Sequence, residues 1–249
     1  MMDLNTQQTT QVAAHDQPIR CVEMIENQGS PLLITGSWDK KVKYWDLRQQ
    51  NAVATLDCQD RVYCMDVRDK LLVVGTADRY INMVNLGNNP SAFYKTMQSP
   101  LKWQTRTLAC FTDSSGFAIG SVEGRCAIQY VEDKDKDYNF SFKCHRITSP
   151  TNRNQTDVYS VNSISFHPQH GTFCTAGADG TFNFWDKDAK HRLKGFPETG
   201  QSITSTSFSH TGNIFAYACS YDWSKGYASH TPQSINKIML HPVGEEEVK

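Results

Sequence analysis

Short apolar runs recur along the chain, each closed by an acid and followed by a stretch that alternates apolar and polar residues. The runs PLLIT, LLVV, GFAI, TFCT and IFAYA precede Asp39, Asp78, Glu123, Asp179 and Asp222. The alternating stretches that follow include KVKYWDL, YINMVNL, RCAIQYV and TFNFWDK. A period of two predicts strands with one buried face, and the acid between two runs predicts a hairpin turn. Ala178-Asp179-Gly180 is the clearest of these, because Asp-Gly suits the positive φ of a type I′ hairpin. Successive acids stand 39, 45, 56 and 43 residues apart. Units of about 40–45 residues built from short strands predict a β-propeller. No stretch keeps a helical period, so the expected fold is all-β with about five blades.

Composition narrows the chemistry. The 249 residues are 39% hydrophobic and carry a net charge of −1, which supports a sizeable core and excludes a globally basic surface. Any nucleic-acid contact must therefore come from a local patch. The opening MMDLNTQQTTQVAAHD is polar, without an apolar run of signal or membrane length, and a soluble intracellular protein is expected. Eight cysteines are scattered without a CxxC pair, which reads as reduced core thiols and no zinc site. No phosphate-cradling glycine loop, GxSxG elbow or HExxH helix is present. No catalytic residue, metal or cofactor is expected, and the chain reads as a non-enzyme.

One basic stretch departs from the repeat pattern. FWDKDAKHRLKG places Lys187, Lys190, Arg192 and Lys194 within eight residues, next to Phe184 and Trp185. Cations beside aromatic faces suit phosphate contact with base stacking. A second stretch, KCHR (143–146), belongs to the neighbouring repeat and is expected to adjoin it. The run VEDKDKD (131–137) reads as a solvated loop.

GSWDKKVKYWD and AGADGTFNFWD carry the same Asp-to-Trp spacing, and with it the chain resembles the WD-repeat family along essentially its whole length. GSWDKKVKYWDLR, SPLK, GFAIGSVEGR, NFSFKCHR, FWDKDAK and GNIFAYACSYDWSKG together resemble one branch of it, the mRNA export factors, seven-bladed propellers of the nuclear pore. The spindle-checkpoint propellers are similar but less close. The resemblance implies a structural hydrogen-bonded tetrad of His15, Ser37, Asp39 and Trp45, with Asp179 repeating the acid. Val84 and Gln129 stand in the Trp position of degraded repeats, and Glu123 replaces an Asp. It further implies that Phe166, Trp185, Asp186, Lys187 and Lys190 line a pocket and its rim. Arg146 and Arg192 would border a groove for single-stranded RNA or a viral mimic of it. Lys190 and Arg192 exchange Lys and Arg relative to that branch, which keeps charge and alters bidentate geometry.

The implied function is a non-enzymatic adaptor in mRNA export. Its partners would be a phenylalanine-glycine nucleoporin carrying a GLEBS-type motif and weakly bound single-stranded RNA, in the nucleus, at the nuclear envelope and in the cytoplasm. A checkpoint-kinase adaptor and a ubiquitin-ligase substrate receptor are the alternatives, and the basic KDAKHRLK loop favours export. The expected organisation is one domain, 1–249, with repeats at about 4–46, 47–86, 87–131, 132–187 and 188–241 and a disordered acidic tail at 242–249. Five acids against seven blades, with MMDLN reading as the end of a repeat and Met2 in its Trp place, predict an array whose first two blades lie outside this sequence. A start placed inside a longer array is the expected cause.

Overall fold

The second strand of each repeat explains the continuous apolar runs. In the computed structural model, which describes residues 1–27, 29–234 and 236–249, every residue of Leu71–Thr76 and of Gly116–Ser121 is buried. Strands covered on both faces lose the polar half of the alternation. The third strands keep part of it, as in Lys41–Asp46, where burial alternates before closing on Tyr44 and Trp45.

The chain forms five antiparallel meanders, the blades of a propeller fold. Blade 1 holds β1 (Ile19–Asn27), β2 (Ser30–Ser37), β3 (Lys41–Asp46) and β4 (Ala54–Asp57). Blade 2 holds β5 (Val62–Arg68), β6 (Leu71–Thr76), β7 (Tyr80–Asn85) and β8 (Lys95–Gln98). Blade 3 holds β9 (Thr105–Cys110), β10 (Gly116–Ser121), β11 (Arg125–Tyr130) and β12 (Phe140–Lys143). A separate hairpin, β13 (Arg146–Thr148) and β14 (Thr156–Val158), follows. Blade 4 holds β15 (Val161–Phe166), β16 (Phe173–Gly177), β17 (Phe182–Asp186) and β18 (His191–Gly195). Blade 5 has three strands among the described residues: β19 (Ile203–Phe208), β20 (Ile214–Cys219) and β21 (Lys237–Pro242). The inserted hairpin accounts for the long 56-residue step between Glu123 and Asp179.

Each first–second strand pair carries a register shift at the same place, between Ile19 and Cys21, Val62 and Cys64, Val161 and Ser163, and Ile203 and Ser205. Blade 3 has it between Gly120 and Ser121. A bulge there raises the local twist and aims the following turn. The small residue ending the second strand has a packing reason. A Cβ on Gly36 would stand 2.8 Å from Val62 Cγ1, and one on Gly120 would stand 2.8 Å from Val161 Cγ1. Neighbouring blades touch at these points.

Three expectations are corrected. The sheets run 19–57, 62–98, 105–143, 161–195 and 203–242, offset from the sequence repeats because the opening strand of each repeat completes the preceding sheet. Contacts also divide the chain into two compact units, 1–98 and 99–249. The turn at Asp179 is not type I′: only Gly180 has positive φ (72°), and its N–H reaches Gly177 O. That is the three-residue loop with a left-handed residue after the acid, repeated at Lys40 (67°), Arg79 (62°) and Gly124 (65°). The tail is ordered: α1 (Glu245–Val248) buries Glu247 and Val248, the latter in a cluster with Phe184 and Phe215. Residues 131–137 enter a 3₁₀ turn, Asp133–Tyr138, with no buried residue.

Candidate nucleic-acid and peptide interface

Two hydrogen-bonded relays fix strands within single blades, one in blade 1 and one in blade 4. In blade 1, His15 Nδ1 meets Asp39 Oδ2 at 2.8 Å, and its Nε2 meets Thr35 Oγ1 at 2.7 Å. Trp45 donates its indole N–H to the same hydroxyl at 2.7 Å. Burial pushes the Asp39 carboxyl up, but the His15 hydrogen bond and backbone N–H donors outweigh it and hold it below the usual range. The tetrad hydroxyl is therefore Thr35 and not Ser37. Both lie on one face of β2, two residues apart, so alternation alone does not separate them. Ser37 instead donates to Gln17 O at 3.0 Å and accepts the Asp39 N–H at 3.1 Å.

Blade 4 repeats the relay. His145 Nδ1 meets Asp179 at 2.9 Å, His145 Nε2 meets Thr175 Oγ1 at 3.0 Å, and Trp185 donates to Thr175 Oγ1 at 2.9 Å. Sequence reasoning had separated Asp179 from Trp185 and missed His145 and Thr175. The signal was available, since His145 precedes Asp179 by 34 residues and His15 precedes Asp39 by 24, the difference being the inserted hairpin.

With its N–H occupied, Trp185 offers its ring. Phe142 lies 4.5 Å from it, centroid to centroid. Trp185, Asp186, Lys190 and His191 of blade 4 face Phe140, Phe142 and Lys143 of blade 3 around a cavity of about 90 Å³, with Phe173 beneath. Lys190 adopts φ 57° at the turn and sets its Nζ 5.2 Å from the Phe140 ring. Asp186 shapes that turn by accepting the N–H groups of Asp188 at 2.8 Å and Ala189 at 3.0 Å. Arg192 stands opposite Trp185 across the strand pair, exposed, with Nη1 3.3 Å from Asn183 Oδ1. The result is an apolar slot rimmed by Lys143, Lys190 and His191.

Three expected site residues stand elsewhere. Phe166 is 6% exposed and packs against Phe111 and Phe173, so it is core and not a pocket wall. Lys187 is turned inward: its side chain is 10% exposed, bonds Asp188 at 2.8 Å and lies 5.1 Å from the Phe111 ring. Burial pulls its pKa down, while Asp188 and Tyr130 more than restore it. Arg146 donates to Glu123 O at 2.9 Å, beside the β10–β11 turn. Lys187 sits near Tyr130, at the other end of β11, so the fold places Arg146 and Lys187 at opposite ends of the blade. Of the KCHR stretch, Lys143 reaches the slot and Arg146 does not. Phe140, Phe142 and His191 were missed.

A second and larger cavity, about 410 Å³, lies between blades 4 and 5, with Phe182, Phe196, Tyr217, Met239 and His241 in its wall. Among the described residues no cluster of three His, Cys, Asp or Glu is placed to hold a metal ion. No helix among them is long and apolar enough to cross a membrane.

Comparison with known proteins accords with this geometry. The family model for the WD domain, G-beta repeat, matches residues 6–46 and 140–186, the two segments that hold the complete relays. The chain is 65% identical over 249 residues to the mRNA export factor GLE2 of Chaetomium thermophilum, covering 100% of this chain and 69% of that protein. It is 56% identical to the Poly(A)+ RNA export protein of Schizosaccharomyces pombe, covering 100% of this chain and 70% of that one. Protein Rae1 of Drosophila melanogaster is 46% identical, over 99% of this chain and 71% of its own length. A chain in a crystal structure of a mitotic checkpoint complex superposes with a TM-score of 0.71 at 18% identity, over 88% of this chain and 66% of that chain. That likeness concerns the fold alone.

Proposed function

The chain belongs to the mRNA export factor family of WD-repeat proteins, and on that premise we propose that it is a non-enzymatic adaptor in mRNA export at the nuclear pore. The observation that carries the reading is the slot between blades 3 and 4, together with 65% identity across the whole chain to a named export factor. An aromatic floor of Phe142, Phe173 and Trp185 under a cationic rim suits a flat or apolar group carried on an anionic backbone. Single-stranded RNA fits that description. Lys190 and Arg192 then contact phosphates, while Phe142 and Trp185 accept a base or an apolar side chain. A nucleoporin segment of the GLEBS type is the second partner, held along loops of the rigid blades. The working places are the nucleus, the nuclear envelope and the cytoplasm.

Titration calorimetry and filter binding with an unstructured oligoribonucleotide test the RNA reading. Lys190→Glu with Arg192→Glu weakens binding and flattens the plot of log K against log salt by roughly 0.7 per lost phosphate contact. Arg146→Glu leaves that slope unchanged, since Glu123 already holds its guanidinium. Equal affinity of wild type and the double variant at low salt removes the slot from RNA binding. Failure of a GLEBS-type peptide to bind removes the nucleoporin from the proposal.

A further inference from the structure

The turn that joins β15 to β16 holds a buried histidine outside both relays. His167 is 3% exposed. Its Nδ1 accepts two backbone N–H groups, those of Gln169 and His170, each at 3.2 Å. Two donors aimed at one ring nitrogen require its lone pair, so the imidazole is neutral and carries its proton on Nε2. That N–H leaves blade 4 and meets the backbone of Gly212, in the turn that joins β19 to β20 of blade 5.

Blade 5 is shaped to receive the ring. A Cβ on Gly212 would stand 2.2 Å from His167 Nε2, and Gly212 also has φ 80°. Only glycine meets both demands. Phe208 of β19 sets its ring edge-on to His167 at 5.2 Å. His170 covers a face of the imidazole at 4.7 Å, with 19° between the planes. One neutral ring thus accepts from its own turn, donates to the next blade and packs against an aromatic on each.

The surrounding charges disfavour a second proton. Burial, with the His170 ring adding repulsion, holds the His167 imidazole below its ordinary value. His170 shares the turn and is exposed, as is His210 in the turn of blade 5. From α1, Glu245 interacts with His170. Among the described residues no carboxylate pairs with His167. A second proton would sit on Nδ1, opposite two N–H donors, and would leave both without an acceptor.

We propose that His167 is an acid-released latch between blades 4 and 5. Neutral, it ties residues 167–172 to the turn around Gly212. Protonated, it loses Nδ1 as an acceptor, and the two turns part. The stability it supplies is complete above the unfolded imidazole value near ~6.5 and is lost as pH falls through the lower folded value.

Histidine-ring NMR of the full chain between pH 8 and pH 5 tests this. His167 holds the Nε2–H tautomer and titrates below a free imidazole. Exchange of the Gln169 and His170 amides, corrected for intrinsic rates, speeds up as His167 takes its proton. His167→Asn keeps an acceptor for these two N–H groups and cannot be protonated. It melts lower at pH 7, and its melting temperature falls less than that of wild type between pH 7 and pH 5. His170→Ala changes an exposed side chain, removes the repulsion and moves the His167 titration to higher pH. A His167 that titrates at or above the free imidazole value overturns the proposal. So does amide exchange that ignores this titration, a parallel fall of melting temperature in wild type and His167→Asn, or a titration that His170→Ala leaves in place.

Discussion

Trp185 donates its indole N–H to Thr175 at 2.9 Å while its ring faces the slot between blades 3 and 4. The Thr175 hydroxyl also meets His145 Nε2 at 3.0 Å, and Thr175 and His145 are both fully buried. One hydroxyl therefore orients the aromatic wall of the candidate site and ties His145 to blade 4. Thr175→Val leaves the Trp185 N–H and the His145 ring nitrogen buried without a partner, at a cost of about 2–3 kcal/mol. Urea unfolding measures it. Thr35→Val behaves alike in blade 1, whereas Ser37→Ala costs less, since Ser37 stands outside the relay. Equal effects of Thr35→Val and Ser37→Ala contradict the assignment.

Glu23 supplies a pH dependence of the opposite sign to that of Asp39. Burial, with Asp66 adding repulsion, pushes its carboxyl up to about 7. The folded state thus holds this proton more tightly than the unfolded chain, whose carboxyl titrates near ~4.3. Its contribution is complete below the unfolded pKa and is lost as pH rises toward 7. Glu23→Gln therefore raises stability at pH 8 by ~1 kcal/mol after solvent screening and changes little at pH 4. Melting temperatures at the two pH values report the difference. An equal shift at both contradicts the titration.

The tail makes a third test. Val248 is 2% exposed, and Glu247 bonds His241 Nε2 at 2.8 Å and Lys194 Nζ at 3.1 Å. Val248→Asp places a charge in the cluster around Phe184 and Phe215 and costs about 2–3 kcal/mol. Chemical denaturation of that variant, beside a chain ending at Gly244, measures the contribution of α1. No loss in either shows that the tail does not hold the blade.

The sequence by itself determined the architecture and the family. Apolar runs closed by acids at about 40–45-residue spacing leave few folds open, because strands of period two with one turn per acid bury their faces only by stacking sheet on sheet. The resemblance also grouped Trp185, Asp186 and Lys190, and β17 with its turn brings these three to the wall of one cavity. What only the tertiary structure decided are contacts between distant parts of the chain. Period two cannot distinguish Thr35 from Ser37; the hydroxyl that counts is the one His15 reaches from another part of the chain. Lys187 and Lys190 look alike as surface cations, yet Phe111 and Tyr130 of the neighbouring blade draw one inward and leave the other at the rim. Arg146 follows Lys143 by three residues at the same end of blade 3, but Glu123 of the β10–β11 turn binds its guanidinium. The tail reads as solvated acid, and Val248 is ordered because blades 4 and 5 leave an aromatic crevice of its size. Local pattern fixes which face a side chain takes, and only packing fixes what that face meets.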